Sequence, residues 1–168
     1  MDVGRGSGSV RAMTEPQPPR TRGLLIGIGA AMVLLSVLFG WRTLQQRNQY
    51  DAYKRQTVDE AELPWTKGPV DVDTCVSWTA NWGMECTGME AWCLGEAPRL
   101  TMACMDSADR TAFCDEAGDA VKSTHFGYAE CEALREDVEG RHLKRAHKKY
   151  CAAVYRAVAE HCRQREMN

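Results

Sequence analysis

The chain has 168 residues, which at roughly 150 residues per domain leaves room for one compact unit with appendages and excludes a multidomain enzyme. Twenty-one Lys and Arg against 23 Asp and Glu give a formal net charge of -2, which argues against a polyanion binder relying on phosphate neutralisation, so no nucleic-acid partner is expected. All eight cysteines (Cys75, Cys86, Cys93, Cys104, Cys114, Cys131, Cys151 and Cys162) fall within 88 residues, reaching the roughly 8–10% that marks a disulfide scaffold in an oxidising compartment.

Residues 1–22 hold Gly4, Gly6, Gly8 and a Pro16/Pro18/Pro19 cluster with few large apolar side chains, the composition of a disordered tail. Nineteen uncharged residues then run from Gly23 to Trp41. As a helix they rise about 28 Å, close to the hydrocarbon thickness of roughly 30 Å. Leu38, Phe39 and Gly40 make a poor small-x-small cleavage site, so this run reads as an uncleaved signal-anchor rather than a signal peptide. No other apolar run of this length occurs, and the chain is expected to be single-pass. Flanking charges do not orient it: Arg5, Arg11, Arg20 and Arg22 precede the run, and Arg42, Arg47, Lys54 and Arg55 follow it. The cysteines decide, because they stay reduced inside and can pair outside. The tail is therefore expected in the cytoplasm and residues 73–168 in an extracytoplasmic space. Ala-, Gly- and Arg-rich composition without a glycosylation sequon favours the bacterial periplasm. Gly23, Gly27 and Ala31 recur every four residues, a small face on which spanning helices approach one another.

Residues 42–72 are expected as a polar helical stalk, free of Gly and Pro over 43–62, followed by an extended linker from Leu63 to Val72 around Pro64, Gly68 and Pro69. Asp73 can cap the next helix. Cys75, Trp78, Trp82, Cys86, Met89 and Cys93 are spaced 3, 4, 4, 3 and 4 residues apart, the period of one helix face, although Gly83 and Gly88 each cost up to about 1 kcal/mol relative to Ala there. Beyond Gly95, Pro98 suits the first turn of a short helix carrying Leu100 and Cys104. Cys114 is expected on another short helix ending at Gly118, and 118–127 as a loop with Ser123 and Thr124 as caps.

Towards the C-terminus, Cys131, Leu134 and Val138 form one stripe and Cys151, Val154, Val158 and Cys162 another. A continuous helix places Cys131 and Cys151 about 30 Å apart, far beyond the roughly 4.4–6.8 Å Cα separation of a disulfide. A hairpin at Arg141 sets both ten residues from the turn, facing one another, and predicts a Cys131–Cys151 bridge. The fold class expected is thus mainly α: one transmembrane helix, then a small disulfide-stapled helical domain with a C-terminal hairpin. Three C-x10-C spacings (75/86, 93/104, 151/162) and one C-x9-C (104/114) put both thiols of each pair on one helix face. This resembles, in construction alone, the twin C-x9-C hairpins of the coiled-coil-helix family, whose paired helices are stapled by two disulfides.

Neither C-x-x-C nor C-x-x-C-H occurs, nor H-E-x-x-H, G-x-S-x-G, a Walker loop or a dinucleotide fingerprint. No enzyme, catalytic residue or cofactor is expected. Met84, Met89, Met102 and Met105 lie close to Cys86, Cys93 and Cys104, so extracytoplasmic copper handling through soft sulfur ligands is the alternative function. His125, His142, His147 and His161 are expected on the surface. Residues 101–139 hold ten acids against three bases, whereas Arg141, Lys144, Arg145, Lys148 and Lys149 stand in a stretch without acids. These five are candidates for contact with anionic headgroups or an acidic partner. The expected function is membrane-anchored binding or assembly, with the lipid bilayer and another membrane or envelope protein as partners.

Overall fold

The computed structural model describes residues 21–136 and 138–167, with side chains from Ile26 onward; the expected disordered tail lies almost wholly outside these residues. Six α-helices follow one another without a strand among the described residues: α1 (Thr21–Lys54), α2 (Val72–Glu85), α3 (Glu90–Asp106), α4 (Thr111–Ala117), α5 (Tyr128–Glu136) and α6 (Arg141–Glu166). The chain divides into two units within α1, between Trp41 and Arg42.

In the first unit, Ile26, Met32, Leu34, Leu35, Val37, Leu38, Phe39 and Trp41 are all exposed. These side chains project from every side of α1, so this part of the helix is apolar all round, and it is long and apolar enough to cross a membrane.

The second unit begins at Arg42, and residues expected as stalk and linker belong to it. Tyr50, Tyr53 and Val58 pack on the main core. The indole Nε1 of Trp82 donates to Thr57 Oγ1 (2.7 Å) and the Tyr53 hydroxyl to the Trp82 carbonyl (3.2 Å). Between these anchors the helix widens to a π turn over Arg55–Asp59. Lys54 closes on the buried Glu96 at 2.7 Å, a hydrogen bond that raises its pKa. The linker is not extended either: Pro64–Thr66 forms a 3-10 turn, and Trp65 is buried edge-on against Trp78.

The cap of α2 is Asp71 rather than Asp73; its carboxylate accepts from the Thr74 backbone N–H (2.6 Å). The apolar face from Cys75 to Cys93 is not one helix. It breaks after Glu85, and α3 starts at Glu90, with Gly88 lying where a Cβ would meet the Tyr50 side chain at 2.9–3.3 Å. Pro98 sits in the middle of α3 rather than in the first turn of a separate helix. Its missing N–H forfeits one bond of the ladder, and disulfides near both ends of α3 hold the helix regardless. α2 and α3 form a hairpin stapled by nested bridges, Cys75–Cys104 and Cys86–Cys93. Thr79 and Thr101 join the helices at its centre, hydroxyl to hydroxyl at 2.9 Å in the buried core. Two paired helices with two staples are the construction that the coiled-coil-helix resemblance implies.

α6 is the axis of the rest. Its stripe of Cys151, Val154, Val158 and Cys162 is buried, and bridges tie it to α4 (Cys114–Cys162) and α5 (Cys131–Cys151). The latter joins the two cysteines that face each other across the hairpin. α4 ends at Gly118 as expected, whereas the following loop opens with a 3-10 turn over Gly118–Lys122. Ser123 does not cap α5: its hydroxyl accepts from the His125 N–H within the preceding turn (3.1 Å). On α5 only Cys131 is buried; Leu134 is 40% exposed and Val138 lies beyond the helix. His147 and His161, expected at the surface, are buried, because they lie four residues before Cys151 and one before Cys162 on the core side of α6.

Candidate functional site

α6 is amphipathic, and its outward side carries the predicted cations. Two are engaged within the molecule: Lys149 Nζ lies 2.7 Å from Glu90, and Lys148 Nζ lies 3.5 Å from Glu132 and 5.1 Å from the centroid of the Tyr128 ring. Arg141, Lys144 and Arg145 have no carboxylate within 4.0 Å among the described residues, and the two arginines are exposed.

The structure continues the charge beyond these five. Arg145, Lys148, Ala152, Arg156 and Arg163 follow helical spacing along one side of α6, a stripe about 27 Å long at 1.5 Å per residue. Arg156 is exposed, and its Nε–H donates only to the Ala152 carbonyl (3.0 Å); Arg163 pairs with Glu160 at 2.7 Å. Between this stripe and the segment 121–128 runs a groove of about 480 Å³. Its floor is Val121, Phe126, Tyr155 and the Cys131 side of a bridge, and Lys122, Lys148, Arg156 and Arg163 stand around it. Glu132 is the acid among its lining residues. Lys122 is held protonated by its hydrogen bond to Asp119 (2.9 Å), which raises its pKa. An apolar floor bordered by cations suits an anionic group carried on an apolar body.

Of the predicted set, only Lys148 lines the groove. Lys122, Arg156 and Arg163 were missed, although the 145/148/152/156/163 spacing of Arg156 and Arg163 is visible in the chain. Lys122 comes from a remote turn, and no local pattern points to it.

The four methionines occupy different settings. Met105 is fully buried and Met84 packs against the main core, while Met89 precedes α3 as its N-cap and Met102 lies on α3's partly exposed side. All eight cysteine sulfurs are in bridges, and a disulfide sulfur is not a thiolate ligand. Among the described residues no three His, Cys, Asp or Glu side chains group as metal ligands.

Comparison of the chain with family models, curated proteins and solved structures returns no match.

Proposed function

We propose that this chain is a non-enzymatic, single-pass membrane protein whose disulfide-stapled helical domain lies outside the cytoplasm, the bacterial periplasm being favoured, and binds or assembles with another membrane or envelope protein. The observation that supports the reading is the joint presence of an apolar helix of spanning length and eight cysteines all paired after it. The first is the hallmark of a segment solvated by lipid, and the second of a domain folded where thiols oxidise. The basic stripe of α6 and its groove supply the contact surface, addressed to an acidic face of the partner.

Membranes from expressing cells are washed with alkaline carbonate, and the protein is alkylated before and after reduction. The expected result is retention in the pellet, no tagged cysteine before reduction and eight after. Release by carbonate, or tagging before reduction, overturns the topology. Assembly is read separately by native electrophoresis of a mild-detergent extract, in which Arg145→Glu with Arg156→Glu is expected to move the protein from a larger species to its own mass. Unchanged migration removes the stripe as the contact surface.

A further inference from the structure

Lys148, Ala152 and Arg156 follow one another at four-residue steps on α6, and all three line the basic groove. The two cations are therefore about 12 Å apart along the helix, at 1.5 Å per residue. Ala152, midway between them, is exposed and carries only a methyl group, so nothing bulky on α6 stands between the cations. The rings of Phe126 and Tyr155, packed edge-on at 5.8 Å between centroids, line the same groove and supply its apolar surface.

The two cations keep donors to spare. Arg156 has no carboxylate within 4.0 Å among the described residues, and its Nε–H donates to the Ala152 carbonyl. Its two terminal nitrogens are left to grip an incoming carboxylate from both sides. Lys148 is half exposed and meets Glu132 at 3.5 Å, a carboxylate that Arg135 also holds, and an ammonium has three protons to donate. Lys122 and Arg163 add positive charge to the same groove. The groove thus offers two seats for anions on one helix, with Ala152 between them.

We propose that the groove takes an extended acidic segment of a partner protein, in which two carboxylates four residues apart flank an apolar side chain midway. In an extended chain, residues i, i+2 and i+4 point to one face, and at roughly 3.3 Å per residue the outer two lie about 13 Å apart. One carboxylate seats on Arg156 and the other on Lys148, while the central side chain lies over Ala152 against the apolar surface of the groove. An anionic lipid carries its charge at a single headgroup and fills one seat only. The inference rests on the reading of the basic surface as the contact face and names the chemistry that face recognises.

The test titrates the full chain in detergent micelles with two peptides of equal composition and charge, and follows heat. In acetyl-Ser-Glu-Ser-Leu-Ser-Glu-Ser-amide the leucine shares a face with both glutamates; in acetyl-Ser-Glu-Leu-Ser-Ser-Glu-Ser-amide it lies on the opposite face. Saturable 1:1 binding of the first is expected, about tenfold or more tighter than the second, the share that burying one leucine supplies. Arg156→Gln is expected to weaken the first peptide about tenfold by removing a charge-assisted pair. Ala152→Trp is expected to weaken it as much by filling the space between the seats. Both positions are exposed, and where Ala152→Trp lowers the unfolding midpoint, Arg156→Gln alone decides. No saturation, equal affinity for the two peptides, or full affinity in a variant of unaltered unfolding midpoint overturns the proposal, as does tighter binding of dihexanoyl-phosphatidylglycerol than of the first peptide. Failure here is distinct from failure of the proposed function: a larger species lost in Arg145→Glu with Arg156→Glu yet kept in Ala152→Trp overturns recognition by the groove and leaves the stripe as the contact surface.

Discussion

Gly83 shows why a residue that weakens a helix is kept in one. A Cβ there would lie 2.5 Å from the Tyr150 ring, so α2 and α6 meet as closely as they do because that atom is absent. Gly83→Ala is expected to lower stability by about 1–3 kcal/mol through overpacking. Gly95, on the exposed side of α3 with nothing within 4 Å of where a methyl would stand, gives the opposite sign: Gly95→Ala is expected to raise stability by up to about 1 kcal/mol. Urea unfolding of the two variants reads both signs. His147 is 4% exposed, and its Nδ1 has no partner among the described residues. Burial, then the charge of Arg135, lowers its pKa from 6.5. The unfolded chain therefore takes up this proton at higher pH than the folded one, and stability falls as pH drops below about 6.5 until the folded value is passed. His147→Leu is expected to flatten that part of the profile, measured as unfolding midpoints between pH 7.5 and 5. Arg110 is a cation of another kind. Buried without a carboxylate, it donates to the Val70 carbonyl (2.6 Å) and the Cys104 carbonyl (3.3 Å) and lies 3.6 Å from Cys75 Sγ, tying the Trp65 segment to the first bridge.

At the scale of elements, the four bridges differ in what they constrain. Cys114–Cys162 spans 48 residues and holds the short α4, which has no buried side chain of its own, onto α6. Cys86–Cys93 spans 7 residues across the α2–α3 break. Loop-closure entropy in the unfolded chain then gives roughly 4 kcal/mol for the first and roughly 2 kcal/mol for the second. Replacing each pair by serine is expected to lower stability in that order, and equal losses in chemical denaturation would show that native packing rather than chain entropy sets the effect. The helices legible in the chain were those whose face is read locally. α6 announces itself by Cys151, Val154, Val158 and Cys162, and α4 by its glycine stop. The α2–α3 break was not legible, because the 3–4 spacing runs straight through Cys86 and Met89. Within the break Gly88 lies against Tyr50, a contact between residues 38 apart that no local pattern announces. Pro98 misled for a related reason: a proline reads as a helix start until tertiary staples hold a helix on both sides of it. The burial of His147 could have been read from its place four residues before Cys151.

For the whole molecule, the core of the second unit includes α4 and α5, 7 and 9 residues long and too short to be stable in water alone, and it closes through bridges between helices. Full reduction is therefore expected to abolish the near-ultraviolet signal of Trp65, Trp78 and Trp82 while far-ultraviolet helicity from the apolar part of α1 survives in detergent. Equal loss of both signals would show that α1 depends on the domain for its shape. The surface follows the same logic of assembly. Besides the cationic side of α6, the domain carries an acidic cleft, lined by Asp73, Glu116, Glu130 and Tyr155 without a Lys or Arg, and the basic stripe was partly visible because it lies on a single helix. The acidic cleft was not visible, since Asp73, Glu116 and Glu130 come from α2, α4 and α5 and share no local period. By itself the sequence determined what depends on composition and on one helix at a time: an apolar segment of spanning length, a helical cysteine-stapled domain, and a hairpin that brings Cys131 to Cys151. Only the tertiary structure decided the other three pairings, the docking of residues 50–65 onto the core and the clefts, because eight cysteines allow 105 connectivities and each of these features joins side chains that meet only once separate helices have packed.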